Sequence, residues 1–255
     1  MRKLFVLMVA VILLMTGCGS DSSEIIIVGF DESPLGYRNE RGEIVGFEID
    51  LAREAINRAG AKAEFKIIHW NEKETELNSG NIDMIWNGID ITPERQEIML
   101  FSKPYMDNRR VIVVLKKNSL EINSEGDLDG KNIGVKAGTT AEFYFETEEG
   151  VKDKLKALKT YDSDENTFKA LESGEVDAVV CDEMLGRYYV VKYNNNFEVL
   201  NITVGKTNQY GIGFRKDDNK LRDRIQAAFD SMVKDGTAKN ISEKWFHADL
   251  IKYSR

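Results

Sequence analysis

Apolar residues recur along this chain at two periods, and the alternation between them predicts its elements. Glu24 to Gly29 is an apolar run of strand length, and Ala63, Phe65 and Ile67 alternate as a half-buried strand does. Between them, Ile49, Ala52, Ala55, Ile56 and Ala59 fall at helical spacing, with Gly60 as the stop. A polar loop from Asp31 to Gly42 carries Pro34, Gly36 and Gly42. Further on, a short helix is predicted over about Glu72 to Asn78, a strand over Ile82 to Trp86, and a helix opened by Pro93, since proline suits a first turn. Arg110 to Leu115 is a β-rich run leaving the first half. The second half reads as a turn at Asp127 to Lys131, then strands at Asn132 to Val135 and Ala157 to Tyr161. Helices follow Thr140 and surround Phe168 and Leu171, and another spans Met184 to Val191. Phe197 to Val204 is extended, and Tyr210 to Phe214 is a strand running back. Leu221, Ile225, Phe229 and Met232 form one face of an amphipathic helix ended by Gly236, and Ile241 to Phe246 makes a last short helix. The order βαβα occurs twice, which predicts parallel sheets with helices on both faces.

One segment repeats. Leu77-Asn78-Ser79-Gly80-Asn81-Ile82-Asp83-Met84-Ile85 returns as Leu171-Glu172-Ser173-Gly174-Glu175-Val176-Asp177-Ala178-Val179. Each copy reads as a helix end, a glycine stop and a buried strand. The same α/β unit in each half predicts two lobes: residues 24–115 with 209–255, and residues 116–208. Two crossings would make the hinge. Ligands of α/β proteins sit at strand ends and between lobes, so Trp86-Asn87-Gly88 and Cys181-Asp182 are expected to face a cleft.

The chain's start changes the setting. Arg2 and Lys3 precede an unbroken apolar run from Leu4 to Met15, too short for a stable membrane anchor and suited to a secretory signal. Met15-Thr16-Gly17-Cys18 resembles a bacterial lipoprotein cleavage site, although leucine usually stands where Met15 does. Residues 1–17 are then the signal, Cys18 the lipid attachment site and residues 18–23 a polar tether. The alternative is an ordinary signal peptide with an incidental cysteine. Loss of Arg2 and Lys3 would move the formal charge from -8 to -10, a poor balance for binding nucleic acid. With the Cys18 thiol carrying lipid, Cys181 would remain as the sole free cysteine, which excludes an internal disulfide. No histidine or cysteine pattern suggests a metal or cofactor.

Three positions offer chemistry. Arg95 falls in the first turn of the Pro93 helix, where free N–H groups favour an anion and a guanidinium can grip a carboxylate with two bonds. The alternative is a surface arginine paired with Glu94 or Glu97. Gly138-Thr139-Thr140 is a strand-to-helix turn in the other lobe, either a set of donors for a carboxylate or a plain helix cap. Asp182 ends the second repeat strand and could hold an ammonium group or cap the next helix. Together they match the two poles of an α-amino acid.

The motifs, in order, are Gly46-Phe47-Glu48-Ile49-Asp50-Leu51-Ala52, Asn81 to Arg95 with its Trp86-Asn87-Gly88-Ile89-Asp90-Ile91-Thr92-Pro93-Glu94-Arg95, and Phe101-Ser102-Lys103-Pro104-Tyr105. Ala137 to Thr140, Val176 to Glu183, Tyr210 to Lys216 and Ile241 to Phe246 follow. Over residues 24–248 the chain resembles the family 3 extracellular solute-binding proteins, the amino-acid receptors of ABC importers. The resemblance implies a type II periplasmic-binding-protein fold, an α/β protein of two lobes joined by a two-strand hinge, that captures a polar amino acid by closure and passes it to a membrane permease. It implies that Arg95 and the Thr139-Thr140 turn hold the ligand α-carboxylate. Asp182 and the Gly88 carbonyl would hold the α-ammonium, and the Asp90 backbone N–H would lie beside the carboxylate. Two positions depart from the pattern. Residue 90 is often Ser or Thr in relatives, and an ionised acid there cannot donate. The Asp31-Glu32-Ser33-Pro34 loop is shorter and lacks an aromatic wall, leaving Trp70, Trp86 and Tyr37 as candidates for it. Asp31 and Lys136 are placed to reach the ligand side chain. Rival readings are a cyclohexadienyl-dehydratase-like enzyme on the same scaffold and a sensor domain.

Overall fold

The structure, a computed structural model, describes residues 24–117 and 122–252 of the chain. The signal at 1–17, the tether at 18–23 with Cys18, and residues 253–255 lie outside the described residues.

Two sheets form two lobes. The first runs Lys62–Ile67, Ile25–Phe30, Met84–Asp90, Asn208–Arg215 and Met99–Phe101, with Met106–Asn108 also paired to Asn208–Arg215. The second runs Ala157–Tyr161, Asn132–Lys136, Ala178–Asp182, Arg110–Leu115 and Phe197–Thr203. In each, the first three strands are parallel, as expected, and the fourth is antiparallel. The sheets are therefore mixed, because each fourth strand belongs to a hinge segment, with no crossover helix to reverse it.

The strand Arg110–Leu115, expected in the first lobe, pairs with Ala178–Asp182 and Phe197–Thr203 in the second. All six of its residues are buried, the mark of a central strand covered on both faces. The outgoing crossing thus falls at Arg109, and the return occupies residues 204–207. Arg110 fastens the two together: its guanidinium donates to the carbonyls of Val204 (3.1 Å) and Lys206 (3.0 Å).

The repeat is structural. In both copies a helix ends, at Asn78 and Ser173, and a glycine follows at φ 77°, a left-handed conformation that a side chain would strain. The shared aspartates also match. Asp83 accepts from the Ile27 N–H (2.9 Å), and Asp177 accepts from the Asn132 N–H (2.7 Å). Each carboxylate thereby pins the next-door parallel strand to the start of its own, which sets the register of the two strands whose far ends carry the site.

The first lobe packs around Trp86, Tyr105 and Phe229, whose ring centroids lie 5.7–6.0 Å apart. Leu221, Ile225, Phe229 and Met232 are buried from the long helix Asn219–Lys234, as their spacing predicts. Trp86, expected at the cleft, is fully buried in this core instead. Strand alternation sends it to the opposite face from Asn87. Cys181 is likewise buried, packed with Val113, Val179 and Phe197.

Candidate functional site

The strands Met84–Asp90 and Ala178–Asp182 end facing each other across the lobes. The helices Pro93–Ile98 and Thr140–Thr147 start beside them. The lobes close around a cavity of about 60 Å³, lined by Trp70, Gly88, Asp90, Arg95, Thr139, Thr140 and Asp182. Lys136, Asp164 and Tyr210 add to its polar wall, with Ser33 and Asn87. Of the predicted binding residues, only Asp31 stands back, and it touches Lys136 at 2.5 Å.

Thr92 caps its helix by accepting from the Arg95 N–H (3.3 Å), with Pro93 in the first turn. That cap orients Arg95 along the cavity. Its guanidinium donates to the Asp90 carbonyl and, across the lobes, to the Gly138 carbonyl, both at 3.1 Å. Its carboxylate neighbour is Glu74 at 3.7 Å, not Glu94 or Glu97.

Thr139 takes the cap role in the second lobe, accepting from the Glu142 N–H and donating to the Lys136 carbonyl. Thr140 instead sends its hydroxyl across the cleft to Asp90 Oδ2 (2.6 Å). Asp90 Oδ1 accepts from Asn108 Nδ2 (3.0 Å), and the same nitrogen donates to Asp182 Oδ1 (2.8 Å). Tyr210 Oη donates to Asp182 Oδ2 (2.6 Å). Asp182 makes no side-chain cap to its helix. Burial, and then the nearby Asp90 charge, hold its carboxyl well above the usual carboxylate range.

Trp70 supplies an aromatic wall, with the Lys73 ammonium 5.0 Å from its ring centroid. Tyr37 is turned away, against Trp245 at 6.4 Å. Asn87 accepts from the Asp31 N–H and donates to Ser33, so the shortened loop is held from the repeat strand. Lys136 lies between Asp164 (2.9 Å) and Asp31, which belong to opposite lobes.

Asn108, Tyr210, Asp164 and Lys73 line or brace the site with no local sequence signal that marks them as site residues. Tyr210 stood in a quoted motif. Lys73 sits in a run of Lys and Glu that reads as surface, yet it is 2% exposed and donates to the carbonyls of Trp70 and Gly138, each at 3.0 Å. Burial and the neighbouring Arg95 lower its pKa to about 8. A wider groove of about 1660 Å³ adjoins the cavity through Pro34, Met184 and Tyr210. It contains none of Asp90, Arg95, Thr140 or Asp182, so these four groups lie together only in the smaller space.

Two facing lobes with opposed charged groups at their strand ends define a ligand-capturing protein of the solute-binding class. The family model for bacterial extracellular solute-binding proteins, family 3, matches residues 26–248, and the chain belongs to that family. It is 30% identical over 230 residues to the L-cystine-binding protein TcyJ of Escherichia coli (strain K12), covering 89% of this chain and 84% of that one. An ABC uptake transporter substrate binding protein from Streptococcus pneumoniae, solved with bound histidine, superposes with a TM-score of 0.83. It is 33% identical, over 90% of this chain and 95% of that one. The ancestral amino acid-binding protein AncCDT-1, a precursor of cyclohexadienyl dehydratase, gives a TM-score of 0.76 at 31% identity, over 87% of this chain and 95% of that one. Among the described residues, no helix is long and apolar enough to cross a membrane.

Proposed function

We propose that this chain is the receptor of an ABC importer, that it binds a polar amino acid by lobe closure, and that it delivers it to a membrane permease. The observation that carries the reading is the placement of Arg95 and Asp182 on opposite lobes of one cavity. Arg95 and the Thr140 turn take the carboxyl end. Asp182 and the Gly88 carbonyl take the ammonium. Lys136, held by Asp31 behind it, and Asp164 meet the side chain, which suits a polar ligand. Cleavage before Cys18 leaves the protein lipid-anchored on the extracytoplasmic face, and it acts without a cofactor.

Hydrogen bonds to charged groups contribute about 1.5–3 kcal/mol each. Three or four support micromolar binding, about -8.2 kcal/mol, after ordering costs of at least about 4 kcal/mol. The ligand shifts the hinge because its contacts span both lobes.

A thermal-shift screen of amino acids tests the reading, since a ligand of the folded form raises the melting temperature. Arg95→Ala and Asp182→Ala are each expected to weaken binding at least 100-fold by calorimetry, with circular dichroism unchanged. Either variant binding as tightly as wild type would remove the assignment. An enzymatic reading rests on Asp182 and Asp90 lining one cavity and sharing the Asn108 amide, with burial raising the Asp182 carboxyl, the setting of an acid that protonates a leaving group. Incubation with prephenate decides it: an aromatic product supports a dehydratase, and intact substrate supports a receptor.

A further inference from the structure

The closed pocket gathers two acidic side chains in one place without a cation between them. Lys136 lies between Asp31 and Asp164. Lys73 and Arg95 both neighbour Glu74, at 3.1 and 3.7 Å. These cations already have carboxylate partners. Asp90 and Asp182 differ: their side-chain donors are Asn108, Thr140 and Tyr210, all neutral. The acids come from opposite lobes, yet one amide nitrogen bonds to both, so they are near neighbours in the closed form. Asp90 is 3% exposed, too deep for water to screen its charge.

Burial and the Asp90 charge favour a proton on Asp182 while the pair stands alone; an ammonium group beside the pair would displace that proton and meet two carboxylates rather than one. A carboxylate on the adjoining carbon would then lie close to Asp90 and be repelled, whereas a neutral carbonyl of the same shape would not. Arg95 and Thr140 can donate to either.

We infer that Asp90 and Asp182 form a two-carboxylate clamp for an ammonium group, so that the pocket prefers net cations, such as amino-acid amides, over zwitterions of the same shape. This rests on the reading of the cavity as an amino-acid site and narrows its ligand class.

The test titrates the proteinogenic L-amino acids and L-cystine against their α-carboxamides by calorimetry. At about pH 6.5 the α-ammonium of both forms is charged. Wild type and Asp90→Ser are compared, with circular dichroism confirming the fold. Where a pair binds, wild type is expected to hold the amide at least tenfold tighter, and Asp90→Ser to reverse the order. Tighter binding of the zwitterion by wild type, or an unchanged ratio in the variant, overturns the clamp and leaves the proposed receptor standing. No binding by any member of either series overturns both.

Discussion

Glu48 shows how a single residue behind the site can set the protein's response to pH. Its side chain is fully buried on the helix Phe47–Arg58, and it accepts from the Tyr105 hydroxyl. Its other oxygen has no hydrogen-bond partner among the described residues. Burial pushes its carboxyl up to about 8, against an unfolded value of about 4.3. The folded state therefore binds the proton more tightly. Stability from this group is greatest below the unfolded value, falls as pH rises toward 8, and is level beyond. Urea denaturation of wild type is expected to lose a few kcal/mol between about pH 5 and about pH 8. Glu48→Gln should flatten that slope, and an unaltered slope would place its origin elsewhere. Glu48 was visible in the sequence only as a motif letter. Arg95, Thr140 and Asp182 were legible as candidates because strand and helix ends carry recognisable punctuation. Asn108 and Lys73 were not, because their roles depend on contacts across the cleft that no local pattern encodes.

At the level of elements, the turn that opens the helix Thr140–Thr147 docks against the opposite lobe. Gly138 has φ 71°, and a Cβ there would lie 2.8 Å from the Asn71 Cα of the opposite lobe. Its carbonyl accepts from both Lys73 and Arg95. Gly138→Ala is therefore expected to keep each lobe folded and to obstruct closure. Ligand affinity should fall more than tenfold, and small-angle scattering with saturating amino acid should report an open form. Full closure of the variant would show that the contact yields. The long helix and the repeat were plain in the sequence because ten or more periodic residues outweigh local noise. The strands Met99–Phe101 and Met106–Asn108 were missed, since three residues carry no period. The antiparallel fourth strands were hidden for another reason: strand direction is decided by non-local pairing.

For the whole molecule, the lobes differ in how the chain supplies them. The second is one continuous stretch from Arg110 to Thr203. The first is split, and its strand Asn208–Arg215 lies between Met84–Asp90 and Met99–Phe101, pieces made long before it. Two covalent passages join the lobes, the outgoing one at Arg109, earlier in the chain than the sequence places it.

That split imposes an order of assembly. During vectorial emergence the inserted lobe is complete while its neighbour still lacks a middle strand, so the neighbour must wait for the chain's last quarter. Hydrogen exchange on a ribosome-stalled chain that has emerged only through residue 207 is expected to protect the amides of Asn132–Lys136 and Ala178–Asp182 and not those of Met84–Asp90. Protection of all three strands would mean that the late strand does not gate the process.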